Sequence, residues 1–133
     1  SPFYEVYECA DGRHITLGAI EPQFYAELLR RLGLDDVDPK AQMDKSAWPA
    51  LCERLGDLFR SRDHRHWQSL LEGTDACFAP VLTLEEAARH PHQVARGLYT
   101  VDADGTVETA RGLRFIPLCA GASVEPKACQ PQT

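Results

Sequence analysis

The chain has 133 residues and a formal charge of −6. That is room for one compact domain with a modest core, and too little positive charge to face a phosphate backbone or an anionic membrane surface. Hydrophobic residues make up 44% and charged residues of both signs 26%, a globular composition rather than that of a disordered chain. No apolar run approaches a membrane-spanning length, and the opening SPFYEVYECADG lacks the basic, apolar, small-residue layout of a secretory signal.

In chain order, residues 3–9 (FYEVYEC) and 13–19 (RHITLGA) are rich in β-branched and aromatic residues. Ala10-Asp11-Gly12 supplies turn chemistry between them, so a hairpin is predicted. Ile15 and Leu17 alternate with His14 and Thr16, giving it one buried face. A helix is predicted over 22–32, where Phe24, Leu28 and Leu32 form a stripe flanked by Tyr25 and Leu29. Gln23, Glu27, Arg30 and Arg31 are expected to face water, and Gly33 ends the helix. Residues 34–45 are polar and aperiodic and read as a loop. A second helix over 47–60 places Trp48, Leu51, Leu55, Leu58 and Phe59 on one face, with Pro49 tolerated in its first turn. Asp63 caps a third helix that carries Trp67, Leu70 and Leu71 and stops at Gly73.

Residues 76–82 (ACFAPVL) read as a buried strand whose end Pro80 places at an edge or bulge. Thr83-Leu84-Glu85-Glu86 is a capping box opening a short helix. His90-Pro91 interrupts that helix, and one further helical turn runs to Gly97. Residues 98–102 and 106–110 flank Ala103-Asp104-Gly105, a second hairpin signal. The expected fold is a small single α+β domain over 1–118, with β-hairpins packed against several short helices and a loose tail over 119–133. The chain opens directly in strand-like sequence without an initiator Met, as a segment of a longer protein would.

Candidate chemistry is sparse. Cys9, Cys52, Cys77, Cys119 and Cys129 are odd in number and scattered without a C-x-x-C pair, which fits a reduced, cytoplasmic compartment better than a disulfide framework. His64-Arg65-His66 and His90-Pro91-His92 lack zinc-site spacing and sit where exposed polar residues are common, so no metal is expected. Cys77 lies in an apolar run without a basic neighbour in sequence, which raises a thiol pKa rather than lowering it. Phosphate-binding loops, nucleophile elbows and dinucleotide fingerprints are absent from the sequence. Trp48 and Trp67 fall at core positions.

Glu21 stands apart. Pro22 suits the first helical position, which puts Glu21 at the N-cap, where Ser, Thr, Asn or Asp would cap better. One reading is a mediocre cap. The other is a carboxylate that projects beyond the helix end to orient a histidine on another element and stabilise its protonated form. The residues alone leave both open.

Residues 18–25 (GAIEPQFY), 74–83 with its TDAC and PVLT, and 90–97 (HPHQVARG) resemble the small domain of α-methylacyl-CoA racemases within the family III CoA-transferase superfamily. The resemblance covers about residues 2–116. It implies a larger enzyme in which two chains interlock as a dimer and a separate large domain holds an acyl-CoA substrate. There, a histidine-centred and an aspartate-centred base remove and return the α-proton on opposite faces. CoA belongs to the substrate, and no separate cofactor is implied. Glu21 then corresponds to the glutamate that orients the catalytic histidine, and Ile20 and Tyr4 to positions lining the acyl pocket. Asp75 and Cys77 match positions of strand-end hydrogen bonding and packing. Residues 111–118 (RGLRFIPL) depart from the Pro-rich return of the relatives. Two alternatives stand beside this reading. One is a CoA transferase of the same superfamily, whose aspartate attacks the thioester; the other is an interaction module that keeps the fold without the chemistry.

Overall fold

The computed structural model describes residues 1–109, which divide into two compact units, 1–83 and the residues from 84 onward. In the first unit, β1 (Tyr4–Glu8) and β2 (His14–Gly18) pair antiparallel with Tyr4 opposite Gly18 and Glu8 opposite His14. Gly12 takes φ +74° in the connecting turn, a conformation that strains any residue with a Cβ. The turn is tied down at its tip. Ala10 donates its N–H to the Arg62 carbonyl at 2.9 Å, and the Asp11 carboxylate accepts the His64 N–H at 3.2 Å. The short β3 (Phe78–Pro80) adds to the other side of β2, giving the order β1-β2-β3.

Helix α1 (Pro22–Leu32) buries Tyr25, Leu28, Leu29 and Leu32. Helix α2 (Trp48–Arg60) buries Leu55, Gly56 and Phe59, and α3 (His64–Leu71) buries His64, Trp67 and Leu71. Their apolar faces meet the inner side of the sheet, where Tyr7, Ile15 and Leu17 are buried. Phe3 packs edge-on against both Tyr25 and Trp48, at 5.4 and 5.7 Å between ring centres. Phe59 lies between Tyr7 and Trp67, at 5.1 and 5.0 Å. Such pairs contribute ~1 kcal/mol each beyond their area.

The second unit contains α4 (Leu84–Arg89), α5 (Pro91–Arg96) and an antiparallel hairpin, β4 (Tyr99–Val101) with β5 (Val107–Thr109). Asp104 accepts the Thr106 N–H at 3.0 Å and fixes the hairpin turn. The fold class is therefore α+β, as expected. The tail over 119–133, the return over 111–118 and the end of the second hairpin at Ala110 lie outside the described residues.

Four local expectations are corrected. Residues 76–82 are not a buried strand: only three of them pair, on the sheet's edge, and Cys77 at φ +48° sits in a left-handed conformation that cannot continue one. The loop over 34–45 contains a 3-10 turn, Pro39–Ala41, capped by the Asp38 side chain, which accepts from Lys40 N–H. Glu27 and Arg31 are half-buried rather than fully solvated, because Arg31 bonds Glu27 and also reaches the Leu70 carbonyl. His64 is not an exposed residue of a helix terminus. It is 1% exposed, inserted beneath the β1–β2 turn, while His66 two residues on is exposed.

Candidate functional site

The chain leaves β2 at Gly18, runs through Ala19 and Ile20, and enters α1 at Pro22. Glu21 is the N-cap residue, with φ −70° and ψ 139°, the extended backbone that a following proline favours. Its carbonyl accepts the N–H groups of Phe24 and Tyr25, both at 3.0 Å, so the main chain closes the first turn. The carboxylate makes no capping hydrogen bond and is exposed. Glu21 is thus a cap by backbone only, and its side chain is left over.

Ile20 is 47% exposed and Tyr4 61% exposed, large apolar groups outside the core. Tyr4 stands opposite Gly18, three residues before Glu21, so all three predicted site residues gather at one end of the sheet. An open depression of about 400 Å³ is lined by Tyr4, Val6, Thr16, Gly18, Cys77 and Ala79 among others; of the three predicted site residues only Tyr4 is in its lining, and Ile20 and Glu21 are not. Tyr4, Val6, Thr16, Gly18 and Ala79 share the sheet face turned away from the core, as alternation along the strands requires. Gly18 is part of the floor: it donates its N–H to the Cys77 carbonyl at 2.8 Å.

Cys77 is part of the same lining. Its thiol is pushed above the ordinary range by burial first and then by the negative charges of Glu21 and Asp75. A thiol held protonated is a poor nucleophile, which agrees with a packing role. Among the described residues, no group of three or more His, Cys, Asp or Glu is placed to hold a metal ion.

One residue of this region escaped the sequence reading. Gln42 is 5% exposed, and its side-chain amide donates to the carbonyls of Ala19 at 3.1 Å and Ile20 at 3.0 Å. The Gln42 carbonyl in turn accepts the Trp48 indole N–H at 2.9 Å. A lone glutamine in a polar stretch carries no local sign of burial, and only the partners it reaches across 22 residues reveal it.

The model of CoA-transferase family III matches residues 1–133. The chain belongs to that family. Mouse alpha-methylacyl-CoA racemase is 42% identical over 104 residues, 78% of this chain and 27% of the relative; the human protein of the same name is 39% identical over 107 residues, 80% of this chain and 28% of the relative. A CaiB/baiF CoA-transferase family protein of Caenorhabditis elegans is 28% identical over 99 residues, 74% of this chain and 28% of its own. The chain thus spans little more than a quarter of the length of these relatives. The crystal structure of Rv3272 from M. tuberculosis in its orthorhombic form has the same fold over 85% of this chain and 34% of its own, with a TM-score of 0.60 at 17% identity. The family membership expected from residues 18–25, 74–83 and 90–97 is borne out. Among the described residues, no helix is long and apolar enough to cross a membrane.

Proposed function

We propose that residues 1–118 are the small, acyl-side domain of a racemase acting on 2-methylacyl-CoA thioesters, and that Glu21 positions the histidine base supplied by the remainder of the protein. One base removes the α-proton, the thioester oxygen carries the resulting enolate charge, and a base on the opposite face returns a proton to the same carbon. No other group is transferred, so atoms and charge balance within the substrate. In the interlocked dimer that the resemblance implies, Glu21 reaches the histidine across the chain boundary. A carboxylate beside an imidazole fixes its tautomer and favours its protonated form.

The observation that carries this reading is the unspent carboxylate of Glu21 at a rigid strand-to-helix seam, flanked by exposed Ile20 and near Tyr4. The depression beneath Tyr4, with Val6 and Ala79 in its lining, suits the apolar body of an acyl chain. Transfer of CoA through an aspartyl anhydride is the second reading, favoured by the family's own description. The more similar of the three relatives bear the racemase name, which favours proton transfer.

The test is Glu21→Gln in the full-length protein. The amide keeps the shape but loses the charge, and turnover is expected to fall roughly 100-fold, as misplacing a catalytic group does, with the melting temperature essentially unchanged. A cap serving only the helix would give the reverse: lost stability with normal turnover.

A further inference from the structure

We propose that Gln42 is a positioning residue for the strand-to-helix seam: its buried amide fixes the peptide plane that aims Glu21. This rests on the role proposed for Glu21 and extends it one residue outward. Consecutive carbonyls of a strand point to opposite sides, yet those of Ala19 and Ile20 converge on the two hydrogens of one amide group, at 3.1 and 3.0 Å. They can do so because the chain turns sharply on leaving the sheet, with the Ile20 N–H bonded back to the Gly18 carbonyl at 2.9 Å. The Ile20 carbonyl belongs to the same rigid peptide plane as the Glu21 nitrogen. Holding that oxygen therefore sets the direction in which Glu21 departs. The partners also dictate which way the amide faces, since its oxygen would repel both carbonyls.

Gln42 is itself held from behind. The Trp48 indole donates to its main-chain carbonyl at 2.9 Å, and the Trp48 ring packs edge-on against Phe3 at 5.7 Å. A chain of named contacts thus runs from the aromatic core through Gln42 to the seam. The carboxylate at its end spends no hydrogen bond on its own helix. A buried amide serving only to fill space would not need two donors aimed at the pair of carbonyls immediately before that residue.

Gln42→Met keeps the length of the side chain and removes both donors. Because it leaves two carbonyls unsatisfied, it lowers stability whatever the role, so stability does not decide. The deciding experiment is a double-mutant cycle on kcat and KM in the full-length protein with Gln42→Met, Glu21→Gln and both. Gln42→Met is expected to lower kcat by about 10-fold or more with KM within about twofold. Added to Glu21→Gln, it should change kcat by no more than about twofold, since a group whose charge is gone no longer needs aiming. Should Gln42→Met not fold, Trp48→Phe replaces it in the cycle: the phenyl ring still packs on Phe3 and the Gln42 amide remains, but the donor behind Gln42 is gone. A smaller loss with the same non-additivity is then expected. If the losses multiply, or if the tested variant turns over like wild type, the positioning role is overturned and the Glu21 reading survives. If Glu21→Gln itself retains full turnover, that reading falls and this one with it.

Discussion

Glu21 and Gln42 are both long polar side chains near one helix start, and they differ in what the fold does with them. The glutamate is left in solvent without a cap to make, and the glutamine is taken inside and its donors are used. Buried titratable groups of the same core give a measurable consequence. Burial, followed by the charges of Asp11 and Asp63, pushes the Cys9 thiol up to about 11, while the Tyr7 hydroxyl is raised by burial and then by Cys52, and Tyr25 by burial. Each is neutral when protonated, and each folded pKa lies above the unfolded one. The stability Cys9 contributes is therefore complete below the unfolded thiol value of 9.0 and is lost as pH rises toward 11, whereas that of the two tyrosines begins to fall only above 10.0. Urea unfolding between pH 8 and pH 11 should show stability falling across that window, less steeply in Cys9→Ala; equal slopes would refute the assignment of the early fall to Cys9. Glu21 stands out in the sequence as a glutamate where a better cap is expected, and a resemblance adds Tyr4 and Ile20; the structure gathers the three at one end of the sheet. Gln42 and His64 were not legible, since whether a polar residue is buried depends on partners 22 residues away for one and on a turn 53 residues away for the other.

The long helices were readable because each carries an unbroken apolar stripe between clear stop signals. The reading of 22–32 for α1 matches its observed limits, with Pro22 at the start and Gly33 beyond the end. Gly33 takes φ +68°, its N–H reaches the Arg30 carbonyl at 3.3 Å, and Leu34 N–H closes on Leu29 at 3.0 Å. A Cβ there would meet nothing within 4 Å, so the cost of adding one is conformational alone. Gly33→Ala is accordingly expected to lower unfolding stability by about 1 kcal/mol in urea without changing the slope of the transition; an unchanged midpoint would mean the helix end relaxes at no cost. Elements of three residues offer no such periodicity. The 3-10 turn Pro39–Ala41 and the strand Phe78–Pro80 owe their form to a side-chain cap and to pairing with β2 respectively, neither of which a pattern of hydrophobic spacing encodes.

Across the whole molecule, the first unit has a full aromatic core on one face of its sheet and exposed apolar groups, Tyr4 and Val6, on the other. The α+β architecture and the family could be read from the sequence, and the chain spans little more than a quarter of its relatives' length. The proposed chemistry makes this division testable. Racemisation needs a base on each face of the α-carbon, and the resemblance places both bases in the part of the relatives beyond this chain. An aimed carboxylate alone removes no α-proton, since a thioester's α-carbon is a far weaker acid than a carboxylic acid unless an enolate site assists its ionisation. Incubated in heavy water with a 2-methylacyl-CoA, the 133-residue chain should therefore incorporate no deuterium at the α-carbon above buffer, while the full-length protein does so. Mass spectrometry of the recovered thioester reads the outcome directly. Deuterium incorporated by the short chain and abolished by Glu21→Gln would move a base into this domain and make Glu21 itself that base.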